Sequence, residues 1–162
     1  MTEVERAAQN MAGNLEMVKG TLADFSDADF MVRPCPGANH VTWQLGHLMK
    51  SETGMMTAIG ATMPPLPDGW DKKFTKENAS NDDASFFPKK QEIMDAFIKM
   101  RTAGIAFVKT VKPEDLEKPT PENMRRFAPT TGNVLGLAPV HTAMHVGQFQ
   151  VIRRKLGKPI LF

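Results

Sequence analysis

The chain has 162 residues, 41% hydrophobic and 23% charged, which suits one globular domain over 1–162 with an enclosed core. A formal net charge of +2 gives little long-range attraction for nucleic acid, and no run approaches the ~18 uninterrupted apolar residues that cross a membrane. The start "MTEVERAAQNMAGNLEM" lacks the apolar core of a signal peptide, and the one cysteine, Cys35, excludes an internal disulfide, so a cytoplasmic setting is expected.

The first helix is read from Val4, Ala8, Met11, Leu15, Val18, Leu22 and Phe25, whose steps of three and four mark one helical face. Thr2 with Glu5 three residues on gives a capping box. After a connection holding Pro34 and Pro36, Asn39 is the expected N-cap of a second helix with Val41, Leu45, Leu48, Met55 and Ile59 inward. Glu52 falls on that same apolar face. Cys35, between the two prolines, reads as a packed or idle loop thiol rather than a nucleophile.

From Gly60 to Phe87 the helical pattern stops in a Pro-, Gly-, Asn- and Asp-rich stretch, longer than the ~12–15 residues usual for a connection. It either covers a functional site or makes a surface excursion, with Trp70, Phe74, Phe86 and Phe87 as anchors. A third helix is expected from Pro88, carrying Ile93, Phe97, Met100, Gly104, Phe107 or Val108, and Val111 inward. A second loop follows, with one short turn at Pro113 to Glu117. A fourth helix runs to Leu156 and is ended by Gly157 and Pro159. No segment sustains period-two alternation. The expected fold is all-α, a four-helix bundle with a long loop between helices 2 and 3. Twelve methionines and no tyrosine are read as core packing.

All four histidines lie in the second and fourth helices. Val134, Ala138, His141, His145, Gln148 and Ile152 form one stripe of the fourth, flanked by Leu137, Met144 and Phe149, which sets it at the centre of the core face. His40, Gln44, His47 and Ser51 form a stripe of the second. A buried unpaired polar group costs about 1–3 kcal/mol, so something must satisfy these side chains. A bundle that brings the two stripes face to face can chelate a metal with imidazoles at i and i+4 and one from the neighbouring helix. The histidines can equally be hydrogen-bonded core residues. His40 stands at the mouth of such a site or, as we favour, caps the second helix.

"ANHVTWQLGHLMKSE", followed about a hundred residues on by "HTAMHVGQFQVIRRKLGKP", resembles the DinB/YfiT-like superfamily. The shared segments are W-x-x-G-H, here Trp43 to His47, and H-x-x-x-H-x-G-Q, here His141 to Gln148. The resemblance covers nearly the whole chain. It implies a four-helix bundle, often dimeric, with His47, His141 and His145 as ligands of zinc or nickel. It also implies a small-molecule substrate, and for some members transfer of a low-molecular-weight thiol to an electrophile; a metal-dependent hydrolase is the other enzymatic reading. The alternative is a non-catalytic metal- or ligand-binding bundle, and simply buried histidines in an interaction protein are a third reading.

Three imidazoles leave open positions, whereas a closed structural site uses four ligands, usually with cysteines. Glu52 and Gln148 are the candidates to orient a ligand or a bound water, or else they make ordinary inter-helix hydrogen bonds. "RRKLGK" is expected to stay solvated and complement the helix dipole, or to attract an anionic thiol. Pro139, two residues before His141, is expected to kink the fourth helix or to delay its start.

Overall fold

The computed structural model of the chain describes residues 1–161; the last position of the expected 1–162 domain lies outside the described residues. Four long helices carry the architecture: α1 (Glu3–Leu22), α2 (Val41–Ala58), α4 (Lys90–Val108) and α5 (Thr131–Lys155), with a single turn, α3 (Trp70–Lys73), between α2 and α4. No strand occurs among the described residues, and none of their helices is long and apolar enough to cross a membrane. The principal contacts are α1 with α5 and α4, and α2 with α4 and α5. Sequence-adjacent α1 and α2 therefore stand at opposite corners of the bundle, as do α4 and α5.

Local chemistry explains the helix ends. The Thr2 hydroxyl accepts from Glu5 N at 3.1 Å while Glu5 Oε2 accepts from Thr2 N at 2.7 Å, the reciprocal box expected. The cap of α2 is His40 rather than Asn39: its Nδ1 accepts from Trp43 N at 3.1 Å, while the Asn39 carbonyl accepts from Gln44 Nε2 at 2.6 Å. An imidazole nitrogen reaches the third amide of the helix as a carboxamide oxygen would. Likewise α4 starts at Lys90, two residues past Pro88, because Glu92 reaches back to Lys89 N and Asp27 accepts from Lys90 N. At α5, Thr130 and Asn133 cap reciprocally.

Every apolar residue assigned to the first helical face, Val4 to Phe25, is buried. The core falls into two apolar clusters. One holds Leu15, Leu48, Met49, Phe97, Met100 and Val146; the other holds Met11, Met55, Met56, Val108, Leu135 and Ala138. On α2, α4 and α5 the break between clusters is occupied by Glu52, Arg101 and Thr142, all at most 2% exposed. A polar layer thus crosses the bundle at mid-height.

Helix α5 runs unbroken through Pro139. The missing N–H leaves the Leu135 carbonyl without its ladder bond, but flanking packing holds the helix: Leu135 and Ala138 are at most 1% exposed, and Asn14 Nδ2 of α1 donates to the Pro139 carbonyl at 2.6 Å. The helix starts at Thr131, so the late start does not occur.

The basic end of α5 is also less solvated than expected. Arg153 is 2% exposed, pairs with Asp24 and donates to the carbonyls of Thr21 and Pro159. Near the end of the last helix a guanidinium satisfies the carbonyls of two segments and a carboxylate at once, which a solvated lysine would not.

Candidate metal centre

The long connection folds back on α2. Trp70, Phe74 and Phe87 are buried, so the expected aromatic anchors hold it to the body. Gly46 is where it seats: a Cβ at that position would lie 2.1 Å from the Phe74 ring. Trp43 Nε1 donates to the Thr75 carbonyl at 3.0 Å, and Lys50 Nζ donates to the Asp71 carbonyl at 2.7 Å. The Trp43 ring stacks on His47 with centroids 5.2 Å apart and planes 4° off parallel. Each fixed letter of W-x-x-G-H therefore has a physical reason. Trp43 flattens against His47 and ties down the loop, Gly46 admits the Phe74 ring, and His47 projects toward α5.

There His47 meets His141 and His145, one nitrogen from each lying within 4.8 Å of the others. The Nε2 atoms of His47 and His141 are 3.1 Å apart. Adjacent ligands at ~2.0–2.1 Å from one ion would stand about 3.0–3.4 Å apart, so this pair already has chelating separation. His145 Nδ1–H donates to Gln44 Oε1 at 2.7 Å, and the Gln44 amide is locked because its Nε2 donates to the Asn39 carbonyl. An amide oxygen only accepts, so the proton of His145 sits on Nδ1 and the Nε2 lone pair is free.

Burial keeps the cluster neutral. It holds His145 down to about 3, with the neighbouring His141 and His47 adding to it. Burial also holds His47 at about 4, with His141, Lys50 and Lys76 contributing. His141 is lowered by burial and then by the Arg101 cation. Three neutral imidazoles with converging ring nitrogens match the protonation state a divalent ion requires, and the donor set fits such an ion.

The cluster sits at the edge of the core rather than at its centre. Met144, expected to flank it inside, is 62% exposed; the centre of the α5 face is taken by Thr142, Val146 and Phe149. His47 and His141 are half-buried and His145 buried, so the site is open on one side. His40 is a cap and not a member: its Nε2 bonds the Asn81 carbonyl at 3.2 Å while Nδ1 holds the helix start. Gln148 is half-buried, and among the described residues no hydrogen bond joins it to an imidazole. Glu52 turns inward to Arg101, at 2.8 Å. The group that does orient a histidine of the cluster is Gln44. Its place one turn before His47 in the polar stripe was the available signal. Cys35 is a free, exposed thiol in the connection before α2, outside the cluster.

The profile of the DinB superfamily matches residues 11–149. No curated protein matches the chain in sequence. Among solved structures, a conserved protein of Enterococcus faecalis superposes with a TM-score of 0.69 at 20% identity, covering 98% of this chain and 99% of its own. YfiT from Bacillus subtilis superposes with a TM-score of 0.64 at 15% identity, covering 96% of this chain and 89% of its own. YfiT is described as a probable metal-dependent hydrolase with an unusual four-helix bundle topology. At these identities the likeness is one of fold.

Proposed function

The chain belongs to the DinB superfamily, and on that footing we propose that it is a metal-dependent enzyme in which His47, His141 and His145 hold one divalent ion, zinc or nickel, for attack by a low-molecular-weight thiol on a small electrophile. The observation that carries this reading is the convergence of three neutral imidazoles with no protein carboxylate or thiolate among them. When bound, the ion acts as a Lewis acid that lowers the pKa of a thiol or water held in its remaining positions.

We read the nucleophile as the thiol. A free thiol titrates at about 8.5 and needs little help to ionise at neutral pH, while a metal-bound water is the other nucleophile such an ion supplies. Glu52, the one buried carboxylate of the region, is turned to Arg101. Gln44 fixes the tautomer of His145, Trp43 holds the plane of His47, and the Phe74 loop borders the cluster and limits what enters.

The test is a panel of thiols and electrophiles run with metal-loaded, metal-stripped, His47→Ala and Cys35→Ser protein. Conjugation should require metal and His47 and be unaffected at Cys35. Turnover that persists in metal-stripped and His47→Ala protein rejects the mechanism. Hydrolysis of esters or amides without a thiol would move the reading to a hydrolase of the kind described for YfiT.

A further inference from the structure

Glu52 of α2 and Arg101 of α4 form an ion pair of 2.8 Å whose side chains are 3% and 1% exposed. Stability does not account for it. A buried pair of this kind is often matched or bettered by packed hydrocarbon, and here Glu52 Oε1 and Arg101 Nε and Nη1 find no partner among the protein's atoms. Yet the fold makes room for it. A Cβ at Gly104 would stand 2.5 Å from Glu52 Oε1, so α4 presents bare backbone to the carboxylate.

The pair reaches across the bundle. Although α4 and α5 occupy opposite corners, Arg101 Nη2, besides meeting Glu52, donates to the Thr142 hydroxyl, which donates in turn to the Ala138 carbonyl at 3.2 Å. Thr142 adjoins His141. On the other side of His141 lies Pro139, where the helix ladder lacks a bond and Asn14 takes hold from α1. His141 is thus delivered from a segment of α5 whose own backbone is weakened and which is held from two other helices, α1 and α4. Side-chain atoms ride about 5–6 Å from a helix axis, so a 10° rotation of α5 would displace the imidazole by about 1 Å, enough to spoil metal geometry.

We propose that the Glu52–Arg101 pair is a positioning device for the histidine triad: by holding Thr142 it fixes the rotation at which α5 presents His141 to His47. This rests on the metal reading above.

Zinc affinity is measured by competition with a chromophoric chelator, the melting temperature of the metal-free protein by circular dichroism, and site geometry by the visible spectrum of the cobalt-loaded protein. Thr142→Val removes the link and leaves the ion pair intact. It should lower zinc affinity about ten- to a hundredfold and alter the cobalt spectrum, with little change in metal-free melting. Thr142→Ser keeps the hydroxyl and should keep the affinity. The double variant Glu52→Met/Arg101→Met should melt as high as the wild type without metal and bind zinc as weakly as Thr142→Val. If the double variant does not fold, the two Thr142 variants decide. Wild-type affinity in Thr142→Val overturns the positioning role and leaves the triad standing. A wild-type protein that binds no zinc, nickel or cobalt overturns the triad and this role together.

Discussion

The side-chain amide of Gln44 accepts from His145 and donates to the Asn39 carbonyl, so neither end is free to turn. Gln44→Leu would leave the buried His145 Nδ1–H without a partner, a cost of about 1–3 kcal/mol, and would release the ring. We expect zinc affinity to fall about ten- to a hundredfold, read by chelator competition; unchanged affinity would show that packing alone orients His145. His40 gives a prediction in pH. Burial, then the charge of Arg33, holds it at about 4 against an ordinary 6.5. Between those values the unfolded chain binds a proton that the folded chain does not, so stability falls as pH falls through the window. His40→Asn keeps a good cap and removes this titration. Its melting temperature should decline less than that of the wild type between pH 6.5 and 4.5, and parallel curves would remove His40 from the account. The histidines themselves were legible in the sequence, because polarity at steps of three and four on an apolar face shows in one dimension. The role of Gln44 was not. It depends on which turn of α2 faces which turn of α5, and the helical pattern alone allowed Gln148 or Glu52 the same part. The partner of Glu52 was half legible: a carboxylate on a core face demands a cation, but nothing in the helical pattern singles out Arg101.

At the level of elements, the long connection after α2 is held by shape as much as by hydrogen bonds. Gly46 is the contact point, since a side chain there would overlap Phe74. Gly46→Ala should force the ring out of its seat. Overpacking of this kind costs about 1–3 kcal/mol, and at ~2–4 °C per kcal/mol the melting temperature should drop by several degrees. The same change should expose the loop around Trp70 and Phe74 to limited proteolysis. Phe74→Leu in the Gly46→Ala background should recover part of both losses; if it recovers neither, the glycine is needed for the backbone of α2 and not for the ring. The four long helices could be read in advance because each carries a sustained apolar face and clear stop signals. Their starts were displaced where unusual groups did the capping, as at His40, and where a carboxylate from elsewhere in the chain, Asp27, completed the first turn of α4. Pro139 pointed to a kink or a late start, but the helix begins earlier, at Thr131, and its proline segment is held by contacts to α1 and the core. That outcome lies in packing, beyond the reach of local propensity.

For the molecule as a whole, the two apolar clusters stand on either side of the polar mid-layer, and the histidine triad lies at the rim of that layer. Each cluster draws apolar side chains from all four long helices, so we expect the core to form without the ion. A ligand that binds only the folded state adds RT ln(1 + [L]/Kd), about 4 kcal/mol when free metal exceeds Kd a thousandfold. For a chain of this size that is a rise in melting temperature on the order of 10 °C. Stripping metal with a chelator should therefore lower the melting temperature by that order while the far-ultraviolet circular dichroism stays helical. His145→Ala should abolish the shift in either direction, since it removes the ligand whose lone pair Gln44 prepares. Collapse of the helical signal on chelation would mean that the ion is part of the structural framework, as in small zinc domains. A melting temperature indifferent to both metal and chelator, in protein shown to contain metal at the outset, would leave the three imidazoles as buried partners of one another. The depressed basicity that burial and crowding give them makes that arrangement tolerable at neutral pH. It does not explain why Gln44 holds the His145 proton on the nitrogen that leaves the other free.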